Sequence, residues 1–368
     1  MYDTDVFICG GGPAGLAAAI STRQQGFEVM VADCFRPPID KACGEGMMPN
    51  SVAALAKLGV TLENVETGVF RGIRFIENGK SVDAVFPHGM GQGLRRILLH
   101  DRLHQRAAAL GVQFCWMTPV LSIDRGVVQA GSRSVRCRWV VGADGINSRI
   151  RKWSGLDAGR RISRRIGMRQ HYKVRPWGDF VEIYWSSLGQ AYVTPVGKDE
   201  ICVAVVARNP FSSVTAALSL FPELAARLHD IESGSSERGA LTTGHVYDRV
   251  ANGQTVLVGD ASGSVDAIAG EGLALSFLQA EALGHALKRG DLSRYEAAHR
   301  QLRRVPNFMS QSMLLLDRFG SIRRKSFSTF HRKPWLFERM LSIHVGATPL
   351  TMWGRTGLFN LGLQLLND

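Results

Sequence analysis

Long apolar runs are missing from this chain. No stretch of its 368 residues approaches the ~20 consecutive apolar residues that a bilayer-spanning helix needs, so no transmembrane span is expected. No basic segment precedes an apolar one at the N-terminus, and a strand-like run begins almost at once, so no secretory signal peptide is expected. Cysteine is sparse, six residues at positions 9, 34, 43, 115, 137 and 202 with no C-x-x-C pair. That argues against a disulfide framework and for a reducing, cytoplasmic setting. His88, His171 and His245 stand apart without ligand spacing, and no metal site is expected. There is no G-x-S-x-G elbow, no internal repeat, no low-complexity tract and no nucleic-acid-binding motif, so neither a serine nucleophile nor a nucleic-acid partner is expected. Acidic residues are outnumbered by basic ones, 32 to 44, for a net charge of +12. The arginine clusters at 149–175 and 294–333 read first as a solvated surface. Attraction for anionic ligands, or a peripheral contact with an anionic membrane, are the alternatives.

What is present begins at the first residues. Tyr2 to Cys9 form a short apolar run that suits a buried strand. Gly10-Gly11-Gly12-Pro13-Ala14-Gly15 follow, and then an alanine-rich stretch that suits a helix. Strand, glycine turn and helix is the context that makes G-x-G-x-x-G a dinucleotide-binding fingerprint. Gly10 permits the tight turn, Gly12 lets the backbone approach a pyrophosphate, and Gly15 lets helix and strand pack closely. The helix N-terminus offers free N–H groups to phosphate. A second strand, Glu28 to Ala32, ends at Asp33, where a carboxylate would meet ribose hydroxyls.

Further on, Cys34 opens a loop rich in proline and glycine that contains Cys43-Gly44-Glu45-Gly46-Met47. Val69 to Phe86 read as two strands joined at Asn78-Gly79, a hairpin signal. Leu94 to Leu110 is an amphipathic helix closed by Gly111. Short strands then lead to Gly142-Ala143-Asp144-Gly145. Three strand-like runs between Phe180 and Ala207 make an antiparallel meander, in which alternation sends Tyr184 and Trp185 to opposite faces. Phe211 to Leu228 look helical. Thr255 to Val258 is another buried strand, ending at Gly259-Asp260. A long helix runs from Leu273 to Arg289, and the pattern is helical beyond Asp291. The fold class expected is α/β: a Rossmann-like FAD-binding domain (residues 1–68, 90–162 and 250–290) interleaved with an antiparallel β-sheet substrate domain (69–89 and 163–249), plus C-terminal helices (291–368).

Three glycine–acid turns in order, GGGPAG at 10–15, GADG at 142–145 and GD at 259–260, resemble the FAD-dependent family that contains the aromatic-ring hydroxylases, the geranylgeranyl reductases and the flavin halogenases. The resemblance covers roughly residues 4–290. It implies that the first turn and Asp33 hold the ADP part of FAD, and that Asp144 and Gly145 support FAD near the path of NAD(P)H, the probable electron donor of such enzymes. It also implies that Gly259 and Asp260 serve the ribityl chain and pyrophosphate. The turn Gly270-Glu271-Gly272-Leu273 would aim a helix N-terminus at the isoalloxazine, stabilising the anionic reduced ring. Arg96 matches the family arginine that contacts the cofactor, with Arg95 as a neighbouring alternative.

The missing histidine and proline after Gly259-Asp260-Ala261, the GEG ending and the Cys43-Gly44-Glu45-Gly46 loop look like the reductase branch. The strand Gln190–Pro195 lacks the aromatic pattern of the prenyl reductases and of the halogenases. It resembles instead the short form of many secondary-metabolism hydroxylases. The leading expectation is an NAD(P)H-dependent monooxygenase that hydroxylates a hydrophobic aromatic or polyketide-like molecule through a flavin C4a-hydroperoxide. The alternative is an FAD-dependent reductase of C=C bonds in prenyl or lipid substrates. A halogenase and a non-enzymatic FAD-binding partner protein stand behind these. Cys43 and Tyr192 are the candidate catalytic groups, as proton donors in the reductase case, with loop packing and a pocket wall as their other readings.

Overall fold

A computed structural model of the chain describes residues 1–350. Five parallel strands make the centre of the first sheet. Their spatial order is Thr255–Leu257, Arg133–Gly142, Thr4–Cys9, Val29–Ala32 and Gln113–Cys115. Parallel strands are covered on both faces, and Val29–Ala32 and Thr255–Leu257 are buried at every position. The helices Pro13–Gln24 and Gly272–Lys288 pack against each other in this layer. Ala17, Ala18 and Ala19 are wholly buried there, which explains the alanine-rich sequence: small side chains let the backbones approach.

The second sheet has seven strands. Their order is Arg238–Tyr247, Gly159–Tyr172, Ile201–Ala207, Gly189–Pro195, Phe180–Trp185, Gly72–Glu77 and Lys80–Val85. Neighbours are antiparallel except Phe180–Trp185 and Gly72–Glu77, which run parallel. The hairpin at Asn78-Gly79 forms as its sequence signals, with both residues at positive φ (50° and 73°). The meander is buried on both faces, Phe180–Trp185 at all six positions. One face is covered by the short helices Val214–Leu218 and Pro222–Leu228, split where Pro222 restarts the helix. The other meets helices Arg304–Arg318, Gly320–Arg332 and Pro334–His344.

Gly68–Phe70 departs from the expected hairpin. It leaves the second sheet and pairs with Gly91–Gly93, which also takes Gly46–Met47. The reason is close approach: a Cβ on Gly68 would stand 2.3 Å from the Pro195 backbone, and one on Gly93 1.9 Å from the Pro195 carbonyl oxygen. This small sheet ties the Cys43–Met47 loop to the junction of the two lobes. No helix among the described residues is long and apolar enough to cross a membrane. The C-terminal helical region expected over 291–368 extends into residues 351–368, which lie outside the described residues.

Candidate active site

A cavity of about 870 Å³ runs between the two sheets, within the range of cofactor and ligand sites. One end is built from the glycine turns. Helix Pro13–Gln24 starts at Gly12 with proline at its first position and no side-chain cap, so its first N–H groups are free to face an anion. Gly10 (φ 112°) holds the turn, and a Cβ there would lie 2.4 Å from the Ala143 carbonyl oxygen. A Cβ on Gly15 would lie 1.8 Å from the Gly10 carbonyl oxygen, whereas one on Gly12 would meet nothing within 4 Å. Gly44, Gly145, Gly270 and Gly272 are open in the same way and line the same cavity. Asp33 accepts hydrogen bonds from the backbone N–H of Gly11 (2.7 Å) and Phe35 (2.8 Å) and faces the cavity beside Gly12. A cradle with backbone exposed at five glycines, an open helix N-terminus and a carboxylate twenty-odd residues on fits an extended dinucleotide.

Of the residues singled out in the sequence, Gly10, Gly12, Pro13, Ala14, Asp33, Cys34, Cys43, Gly44, Glu45, Gly46, Arg96, Asp144, Gly145, Tyr192, Asp260, Gly270, Gly272 and Leu273 all line this one cavity. Gly15, Met47 and Gly259 stand behind its wall. A Cβ on Gly15 would strike the Gly10 carbonyl, and one on Gly259 would lie 2.6 Å from the Ala14 side chain. Met47 is buried in the core of the first lobe, and Met48 faces the cavity in its place. Arg96 also faces the cavity, with its Nε buried and unpartnered, while Arg95 turns to Glu200 at 3.6 Å. Asp144 caps the helix Arg149–Trp153, accepting from Ser148 Oγ and the N–H groups of Arg149 and Ile150. Asp260 pairs with Lys41 at 3.6 Å.

The loop at Cys43 is held by a buried network that the sequence did not signal. Glu45 adopts φ 59° and is 2% exposed. Its Oε1 accepts from the Arg96 N–H at 2.9 Å, capping helix Arg96–Ala109, and its Oε2 lies 2.6 Å from His171 Nε2. His171 Nδ1 meets Ser235 Oγ at 2.7 Å, and Arg169 bridges to Asp40 at 2.5 Å. Glu45, His171 and Cys202 lie within metal-ligand reach of one another. With the Arg169 guanidinium 3.7 Å from Glu45, the trio reads as part of this hydrogen-bonded network. The Cys43 Sγ accepts from the Glu45 N–H at 3.4 Å. Tyr192 donates its hydroxyl to the Ile268 carbonyl oxygen at 2.9 Å, and burial pushes its phenol up.

The other end of the cavity is an apolar chamber. Ile73, Phe75, Val181 and Ile183 come from the second sheet, and Met309, Met313, Phe337 and Leu341 from the C-terminal helices. The alternation of Tyr184 and Trp185 holds, but neither lines the chamber. Tyr184 donates to Glu182 on the far face, and Trp185 packs edge-on against Phe75 and Phe327. Where chamber and turns meet stands Glu271, 3% exposed. Burial raises its carboxyl to about 8.

The model of the FAD binding domain family matches residues 3–293. The chain belongs to this family. It is an FAD-dependent oxidoreductase, and its glycine cradle and α/β fold are those of the family. Over its whole length it is similar to a menaquinone reductase of Mycobacterium tuberculosis (27% identity, 99% of this chain, 91% of that protein). It is also similar to digeranylgeranylglycerophospholipid reductase 1 of Methanopyrus kandleri (26%, covering 73% and 76%). A pentachlorophenol 4-monooxygenase of Sphingobium chlorophenolicum matches over a shorter span (28%, covering 42% and 32%). Among solved structures, a flavoprotein/dehydrogenase from Cytophaga hutchinsonii shares the fold, with a TM-score of 0.82 at 19% identity over 96% of this chain and 95% of that one.

Proposed function

We propose that this protein is an FAD-dependent reductase of a C=C bond in a prenyl or lipid substrate, with NAD(P)H as the electron donor. The observation that carries this reading is the apolar chamber, whose far wall is made by residues after position 300. The reductase relatives match this chain over 99% and 73% of its length, the monooxygenase over 42%. The menaquinone and digeranylgeranyl names share an unsaturated isoprenoid chain. Flexible Met309 and Met313, with Phe337 and Leu341, suit such a chain better than a small polar ring. This reverses the order expected from the sequence, where a monooxygenase led.

When bound, FAD supplies the hydride chemistry. The chain's own residues orient and exclude. Gly12 and the N-terminus of helix Pro13–Gln24 would hold the pyrophosphate, Asp33 the adenosine ribose and Asp260 the ribityl side. The end of helix Gly272–Lys288 would face the ring, where its positive dipole end favours the anionic reduced form. The sheet and the C-terminal helices keep water from the alkene.

The test is anaerobic. FAD-loaded protein is reduced with NADPH or NADH and mixed with a polyprenyl quinone. Flavin reoxidation together with a quinone-form product whose prenyl chain, not its ring, has gained two hydrogens is the expected result. No reoxidation without oxygen, with oxygen inserted into a phenol when air is admitted, would replace this reading by the monooxygenase.

A further inference from the structure

We infer that Glu271 is the proton donor of this reaction and that His344, on the C-terminal helix Pro334–His344, is its positioning residue. The inference rests on the reductase reading above. The sequence treats Gly270-Glu271-Gly272 as a backbone turn and assigns nothing to the glutamate. In the structure its side chain lines the cavity at the meeting of chamber and cradle.

The geometry sets its protonation. Glu271 Oε1 lies 3.3 Å from His344 Nε2. That nitrogen is 3.1 Å from the Ala269 carbonyl oxygen, which only accepts, so Nε2 carries the hydrogen and spends it on the carbonyl. Glu271 Oε1 and His344 Nδ1 are both buried without a hydrogen-bond partner. A buried carboxylate oxygen with no donor is unfavourable, and protonation of the carboxyl relieves it. Burial lifts it to about 8 and depresses His344 to about 4, so acid and imidazole are both neutral at pH 7. No arginine or lysine salt bridge to Glu271 occurs among the described residues. Lys41 with Asp260, Arg96 and Glu45 line the same cavity but are engaged elsewhere or face its cradle end.

The step balances. With FAD bound and reduced by the nicotinamide dinucleotide, the cofactor would supply a hydride to one alkene carbon, and the O–H proton of Glu271 would go to the other. The π bond is lost, two C–H bonds form, FAD is left oxidised and Glu271 is left a carboxylate. The Nε2–H of His344, 3.3 Å away, then turns from Ala269 to that new charge until a solvent proton restores the acid. Tyr192, one of the two donors suggested by sequence, is less free for this. The Tyr192 proton is committed to Ile268.

The experiment separates the two half-reactions of the FAD-loaded enzyme. In Glu271→Gln, anaerobic reoxidation by the polyprenyl quinone falls at least ~100-fold, the scale of a lost general acid, and falls far more than flavin reduction by NADPH does. The wild-type reoxidation rate declines above about pH 8, whereas the residual rate of the variant is flat in pH. His344→Asn keeps the proton but shifts that pH limb. Independently of turnover, infrared difference spectra of the oxidised wild-type protein show a protonated-carboxyl band at pH 7 that bleaches near pH 8 and is absent in Glu271→Gln. A carboxyl ionised at pH 7, or reoxidation of the variant within about threefold of wild type with an unchanged pH profile, overturns the assignment. A wild-type enzyme that the quinone never reoxidises overturns instead the reductase reading.

Discussion

Gly12 and Gly15 are three residues apart and are glycines for opposite reasons. A side chain on Gly12 would enter open cavity, and one on Gly15 would strike the Gly10 carbonyl 1.8 Å away. Gly12→Val is therefore expected to fold with a melting temperature near wild type and to purify colourless, because the valine fills the space of a pyrophosphate. Gly15→Ala is expected to lose about 1–3 kcal/mol of stability, as overpacked sites do, measured by denaturant titration. Tyr192→Phe removes one buried hydrogen bond and leaves the Ile268 carbonyl unpaired. It should cost about 1–3 kcal/mol and retain most turnover, which steady-state assay checks. Glu271 makes stability depend on pH in a definite direction. Its carboxyl titrates near 8 when folded and near 4.5 otherwise. Between those values the folded chain keeps a proton that the unfolded chain has released. This contribution is complete below 4.5 and is lost as pH rises to 8. Glu271→Gln cannot ionise, so its melting temperature should gain on wild type across that window, and a constant difference would contradict the assignment.

The strand Gly159–Tyr172 carries two arginines, each 2% exposed, that bind different parts of the molecule. Arg165 meets Gln190 at 2.5 Å and stands 3.6 Å from both Asp266 and Asp317, and so anchors the C-terminal helix Arg304–Arg318. Arg169 reaches Asp40 and Glu45 under the cofactor loop. Arg165→Met leaves buried Asp266 without a cationic partner and Asp317 with Arg208 alone, and should cost about 3 kcal/mol, measured by calorimetry. From sequence, the arginines at 149–175 read as a solvated surface. The structure corrects this for Arg151, Arg165 and Arg169, which are buried and paired. Their partners lie between 6 and 152 positions away, and no local pattern marks a charge as buried when its counter-charge is remote. The same limit hid the pairing of His344 with Glu271, whereas the cradle at 10–15 was legible because its strand, turn and helix are contiguous. The split at Gly68–Phe70 was illegible because its cause, the backbone of Pro195, arrives from another strand. The helices beyond Asp291 were legible as helices, but nothing in their periodicity said that Met309 and Phe337 would face a chamber.

At the scale of the whole molecule, both sheets and the C-terminal helices contribute walls to one cavity, so a ligand that fills it couples them. Binding of FAD is expected to stabilise the protein as one cooperative unit, by about 2.7 kcal/mol at a free concentration a hundred times its dissociation constant. Differential scanning calorimetry should show a single transition that moves upward with added FAD. Two transitions, only one of them responsive, would mean that the lobes unfold independently. The cavity also has a genealogy written into its chain order. Its cradle is drawn from residues 9 to 46, 143 to 153 and 260 to 276, while Met309, Met313, Phe337, Met340 and Leu341 all come from a stretch encoded afterwards. Codon changes confined to that stretch would remould the substrate end without disturbing the glycine turns. Divergence among related enzymes should therefore run fastest over residues 304–344, with one position there, His344, held back by the acid it faces.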